Sequence, residues 1–389
     1  MINRRQFSKA VLAAATGAAA AKTMPAGLAK QTIGPKEKVF LEALPKGAAD
    51  EAIARAVRQL ADAATDFSWL SKGDRVLIKP VCNSGNLYPA TTCPAGLKAM
   101  AELLRKKGAG KVIVSDMAGI QWVKLSPDGV RGSTRKLMRN NGLEQAALSA
   151  GAELYFPEEH GWDDFFEDGP AGAHWKNGIF VPKLLKEVDH VVLMPRTSRH
   201  MIAGVTLGMK AVVGYMRFDS RLEYHRDAAS IYEKTAEANL LLCLKNKLRL
   251  ALTAATKVLA AMGPDNGYIS EPETGILFAS GSILAHDMVS LAWLILNRES
   301  LPASARRALR DPAAVSYLTN PAVVVLLGGP AQAVRTERIR PFELNSVWDE
   351  PVLNHAFKVF KGTPEIEIID PHLSTPRALK DKLSGMVAF

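Results

Sequence analysis

Cysteine is scarce in this chain: Cys82, Cys93 and Cys243 are the three among 389 residues. Three thiols cannot complete a four-cysteine iron–sulfur site and no CxxC occurs, which excludes a self-contained iron–sulfur cluster on ligand count. HExxH, G-x-S-x-G, GxGxxG and GxxxxGK[ST] are missing too. Zincin, α/β-hydrolase, Rossmann dinucleotide and P-loop readings therefore have no motif support. No apolar run after the N-terminal segment reaches the roughly 20 residues that span a bilayer. Ile283-Leu284-Ala285-His286-Asp287, for example, is interrupted before Leu291-Ala292-Trp293. Internal repeats, low-complexity tracts and long linkers are also missing, which favours one compact body over separable domains.

What is present begins at the N terminus. Asn3-Arg4-Arg5-Gln6-Phe7-Ser8-Lys9 resembles a twin-arginine export signal, and the alanine-rich run Ala10 to Ala21 is short enough for a signal h-region. Residues 1–29 are thus expected to be a signal read by the twin-arginine translocase, leaving a mature periplasmic chain from about Lys30 without a transmembrane segment. The net charge of +10 falls to +6 without Arg4, Arg5, Lys9 and Lys22. A moderate, dispersed basic excess suits small anionic ligands and disfavours nucleic acid.

Cys82 and Cys93 lie close in sequence, and two readings stay open. They form a disulfide in an oxidising compartment, contributing roughly 3 kcal/mol in the chain-entropy model, or they are thiols in a site loop. Cys243, inside Leu240-Leu241-Leu242-Cys243-Leu244, reads as helical core.

Short β-rich runs alternate with helical patterns, the signature of an α/β fold with a mainly parallel sheet and flanking helices. Arg75–Pro80, 111–116, 152–156 and His190–Met194 read as strands, as do 39–41, 250–252, 276–279 and 366–369. Helices are expected over 94–107 and 133–150. In open α/β sheets the ligand crevice lies beyond the carboxyl ends of the strands. Those positions carry Lys79, Cys82 and Asn83, then Ser115 and Asp116, then Arg196, Arg199 and His200.

The stretch from Arg196 to Gly214 joins basic residues to small ones that admit a close ligand, and its composition suits phosphate or carboxylate. Thr206 and Lys210, four apart, would share a helix face. His225 is expected near the N terminus of a helix starting about Ala228, where a neutral imidazole can act as ligand or base. Gly263–Gly267 reads as a plain turn. Asp287 either caps the helix it opens or orients a histidine, with the cap preferred. His160, His174, His190, His355 and His372 show no ligand-like spacing.

Together these pieces resemble the domain of unknown function 362 family. The resemblance rests on Lys79-Pro80, Ala90-Thr91-Thr92, Asp116 and Thr206-Leu207-Gly208-Met209-Lys210 with Gly214, and on His225, Gly263-Pro264 and Asp287. It covers about 73–297, leaving 298–389 as a C-terminal extension of a domain over 30–389. The chain departs from the family pattern at Val81-Cys82, Cys93 and Ala211. The resemblance implies an α/β fold and a shared polar site without an agreed activity.

Two functions follow. In the first, an exported enzyme or cofactor protein uses Asp116, His200 and His225 as catalytic groups. Lys79, Asn83, Arg199, Thr206 and Lys210 hold an anionic ligand, and Cys82, Cys93, His200 and Asp287 offer ligands to a divalent metal. In the second, the same cationic crevice belongs to a non-catalytic binding or cofactor-maturation factor.

Overall fold

A computed structural model describes residues 33–169, 172–303, 305 and 312–389, so the expected signal over 1–29 lies outside the described residues. Eight strands form the central sheet: β1 (Ile33–Pro45), β2 (Arg75–Pro80), β3 (Lys111–Ser115), β4 (Glu153–Tyr155), β5 (His190–Met194), β6 (Leu248–Ala255), β7 (Thr274–Ser280) and β8 (Thr363–Ile369). Their spatial order is β8-β1-β7-β6-β5-β2-β3-β4. Only β7 runs against its neighbours, pairing Leu41 with Phe278 on one side and Thr253 with Phe278 on the other. The remaining pairs are parallel, with Ile78 between Val114 and Val192. The expected α/β architecture is therefore observed.

Alternation along the strands divides the core between the two faces. Leu77, Val191, Leu193 and Phe278 pack in one buried cluster, whereas Val76, Ile78, Val114 and Val192 pack in the other. This is the period-two pattern of a sheet covered on both sides, and each fully buried Leu or Val contributes about 1.5–3 kcal/mol. Helices α1 (Asp50–Ala64) and α2 (Pro94–Lys106) cover the second face. Pro94 stands in the first turn of α2, where its missing N–H costs nothing.

The single helix expected over 133–150 is two. Gly142 adopts φ 86° and splits the segment into α3 (Thr134–Asn141), capped by Ser133, and α4 (Leu143–Ser149). The left-handed backbone there favours glycine and stops α3. The first face is covered by α5 (Phe218–Arg226), α6 (Ile231–Glu237), α7 (Ile283–Glu299) and α9 (Pro351–Val359); α8 (Pro312–Gly328) packs on α5. The segment after the expected core also adds β8 to the sheet edge beside β1. Among the described residues no helix is long and apolar enough to cross a membrane.

The chain runs from β2 outward to β3 and β4, then returns to lay β5 against the other side of β2. That reversal opens a crevice beyond the carboxyl ends of β2 and β5. A small four-stranded sheet, containing Ser198–His200, Gly204–Thr206, Val258–Ala261 and Tyr268–Ser270, stands next to it.

Candidate functional site

A cavity of about 60 Å³ lies at this crevice. At roughly 30 Å³ per water in the liquid, that is room for a small ion or a compact functional group. Strand ends supply Lys79, Asp116 and Arg196; the small sheet supplies His200 and Thr206; the helical turn Met209–Tyr215 supplies Lys210; α5 supplies Arg221. Asn83 and Cys82 also face it. Seven of the residues singled out in the sequence, Lys79, Cys82, Asn83, Asp116, His200, Thr206 and Lys210, are thus brought together. Cys93, Arg199, His225 and Asp287 lie outside the lining.

Lys79 follows Leu77 on the same face of β2, and its Nζ lies 2.8 Å from Oδ1 of Asp116 and 2.9 Å from the carbonyl of Pro80. Burial pushes the Lys79 ammonium down while Asp116 pulls it up. Asp116 also accepts from the amides of Cys82 at 2.6 Å and Met117 at 2.9 Å. Its acceptor capacity is largely used.

Among the described residues no further acid forms an ion pair with the remaining cavity cations, although the Asp265 carboxylate acts on Arg196 through space. Arg196 is 1% exposed, and one guanidinium nitrogen donates to the carbonyl of Pro89 at 3.3 Å. Among the described residues its Nε and Nη2 have no hydrogen-bond partner, and neither does Oγ1 of Thr206. Arg221 is satisfied differently, donating to the carbonyls of Met117, Ala118 and Met216. Burial lowers both guanidinium groups to about 10, which leaves them charged at neutral pH. Lys210 is half-buried and makes no ion pair or hydrogen bond among the described residues. Burial and the charges of Arg196, Arg221 and Lys79 lower its ammonium to about 7.

His200 is held neutral, because burial and the neighbouring cations, Lys210 first, push it well below its ordinary value. Its Nδ1 accepts from the amides of Ile202 and Ala203, both at 3.1 Å, so the network assigns the proton to Nε2. The cavity wall therefore presents donors and positive charge, with one carboxylate already paired.

Several expectations are corrected by this geometry. Thr206 and Lys210 do not share a helix face, since Thr206 ends a strand and Lys210 sits in a 3₁₀ turn. His225 is in the last turn of α5 instead of at a helix N terminus, because the backbone leaves helical geometry at Asp227. Its Nδ1 meets Oδ1 of Asn320 at 2.8 Å, and burial lowers it to about 4 despite the favourable helix end. Asp287 does not cap α7, whose cap is Ser282. Its two oxygens instead accept from the amides of Gly208 and Met209, both at 2.8 Å, and Oδ1 contacts His286. It fixes the backbone that carries Lys210. The Gly263–Gly267 turn is more than a connection, since Asp265 accepts from Asn83 and Trp122 and from Gln121.

Cys82 and Cys93 are buried free thiols, not a disulfide. Burial raises both, Cys93 to about 11. The Cys82 sulfur sits 3.4 Å from Nδ2 of Asn141, and Cys93 packs among apolar side chains. Cys243, read as helical core, is half-buried on a 3₁₀ turn. The metal set proposed from the sequence, Cys82, Cys93, His200 and Asp287, is not assembled. The cavity itself does not suit a cation: its donors are ammonium, guanidinium and imidazole N–H groups, and the Asp116 carboxylate is paired. Among the described residues one other cluster has ligand-like geometry, His174, Glu237 and His355.

A family model matches residues 76–292, more than half of the chain, and every cavity residue named above lies inside that span. The chain belongs to the domain of unknown function family DUF362. Two solved structures are similar to it. One is a protein from Thermotoga maritima, with 16% identity and TM-score 0.36 over 55% of this chain and 52% of that one. The other is the lactate racemase apoprotein from Thermoanaerobacterium thermosaccharolyticum, with 17% identity and TM-score 0.35 over 60% and 52%. The DUF362 chain thus spans about half the length of each. No curated protein matches it. Sequence reasoning inspected Arg196 without giving it a role and missed Arg221, whose place on α5 depends on tertiary closure.

Proposed function

We propose that this DUF362 protein binds a small oxyanion group, carboxylate or phosphate, in the crevice beyond β2 and β5. One observation carries the reading: among the described residues Arg196 is buried with Nε and Nη2 unpartnered beside an unpaired Lys210. A buried charge without full pairing is costly. An anion would supply both the missing acceptors and the compensating charge, and Nε2–H of His200 and Oγ1–H of Thr206 are further donors. Sulfate and acetate are suitable probes for calorimetric titration of the purified chain. Binding should weaken at least tenfold in Lys210→Ala and in Arg196→Met, and unchanged binding in both would remove the pocket from consideration.

A second reading, proton transfer on the bound molecule, is favoured by one specific feature. Lys210, lowered to about 7, exists as both ammonium and amine at neutral pH, the state that suits general acid–base work. His200 and Asp116 then act as fixed neighbours, a donor and the partner of Lys79. Lys210→Arg separates the readings: it keeps the charge and should keep anion binding, but it removes the proton shuttle. Export remains part of the proposal on the strength of Arg4-Arg5 alone. Replacing both by lysine should leave the protein in the cytosolic fraction, whereas periplasmic recovery of that variant would argue against the twin-arginine route.

A further inference from the structure

We infer that His174, Glu237 and His355 form a divalent transition-metal site, separate from the anion crevice, that joins the C-terminal segment to the DUF362 core. Nδ1 of His174 lies 2.5 Å from Oε1 of Glu237, and Nε2 of His355 lies 3.0 Å from the same oxygen. The two imidazole rings are 5.1 Å apart and nearly perpendicular. All three ligand atoms fall within 4.8 Å of one another. A tetrahedral zinc ion with ligands at about 2.0–2.2 Å holds neighbouring ligand atoms about 3.3 Å apart, so the two imidazole–carboxylate contacts need to open only slightly to accept one.

The donor chemistry agrees. Two imidazoles and one carboxylate are the set that binds zinc with three protein ligands and leaves a fourth position for water. The Glu237 side chain is 2% exposed, and no lysine or arginine pairs with it among the described residues. Among the described residues it also accepts from the backbone amide of His174 at 3.1 Å. A carboxylate so buried calls for a cation. The backbone is shaped around it as well, since a Cβ on Gly172 would lie 2.2 Å from the Glu237 carboxyl carbon.

The three ligands come from distant parts of the chain. Glu237 ends α6, His174 sits in the loop before the strand Ile179–Pro182, and His355 is on α9, beyond the family-matched span. His355 also lines a cavity of about 310 Å³ with Glu233, Arg340 and Lys358, so the ion has solvent access on that side. Coordination would clamp α9 onto α6.

The test uses the full purified chain, stripped with a chelator and then dialysed against zinc chloride. We expect one zinc per chain, and substitution by cobalt(II) should give the intense visible bands of a four-coordinate site. Glu237→Gln, His355→Ala and His174→Ala should each weaken zinc retention at least tenfold. His174 is the most accessible of the three, so its variant decides the matter should Glu237→Gln fail to fold. Lys210→Ala and Arg196→Met should keep full zinc content, which separates this site from the anion pocket. Wild-type chain that retains no zinc, or a folded His174→Ala/His355→Ala double variant with undiminished zinc, would overturn the proposal.

Discussion

The Lys79 ammonium and the Asp116 carboxylate meet at 2.8 Å directly beneath Gly214, where no side chain can stand. A Cβ on Gly214 would lie 2.0 Å from Oδ1 of Asp116 and 2.6 Å from Nζ of Lys79. We therefore expect Gly214→Ala to force the pair apart or to displace the Met209–Tyr215 turn. Breaking a buried ion pair costs about 3–5 kcal/mol, and the same loss should appear in chemical denaturation of the variant. A change below about 1 kcal/mol would mean the turn relaxes without disturbing the pair.

Arg196 should behave in the opposite sense. On the proposed reading, its burial with two nitrogens unpartnered among the described residues is a cost carried for anion binding, so Arg196→Met is expected to be neutral or more stable by about 1–4 kcal/mol while losing sulfate binding. Parallel urea unfolding and calorimetry check both halves. A strongly destabilised variant would show that the guanidinium holds the fold.

These contrasts mark what the sequence revealed and what it withheld. The strands Arg75–Pro80 and His190–Met194 were legible to the residue because each is a β-rich run stopped by proline. Their carboxyl ends, with that of Lys111–Ser115, in turn point to Lys79, Asp116 and His200 at one rim. Gly214 reads in the sequence only as a permissive residue, since its need for close approach depends on Asp116, far away in the chain. The sequence puts His225 before a helix N terminus because nothing local announces the break at Asp227. Glu237 lies 63 residues from His174 and 118 from His355, so no spacing rule could join them.

Lys210 gives the site a defined pH response. In the free protein its pKa is about 7 against the ordinary 10.5, so the folded chain has released a proton between those values that the unfolded chain still holds. Folding stability from this group therefore rises with pH across that window and is lowest below 7. The proposed anion binding should have the reverse slope, because an anion there would need the ammonium. Sulfate, which does not titrate here, should bind about tenfold more weakly per pH unit above neutrality. Lys210→Arg should flatten the profile. A wild-type affinity constant from pH 6.5 to 8.5, about two units, would falsify the assignment.

Glu350 supplies the last prediction. Its Oε2 caps α9 by accepting from the amide of Leu353 at 2.7 Å, while its buried Oε1 has no partner among the described residues. Burial is the main cause that raises its carboxyl from the ordinary 4.5 to about 7, Asp287 adds to the rise, and the cap amides and Arg199 oppose it. Between these values the folded chain keeps a proton that the unfolded chain has given up. The neutral acid's contribution to stability is therefore complete below 4.5 and is lost as pH rises through 7. The linked change is roughly 3 kcal/mol. Glu350→Gln keeps an acceptor for the cap but cannot ionise. Relative to wild type, it should gain roughly 3 kcal/mol on going from pH 4.5 to pH 8, measured by denaturant unfolding at each pH. Groups common to both proteins cancel in that difference, so an offset that stays constant with pH would show that Glu350 is already ionised in the fold.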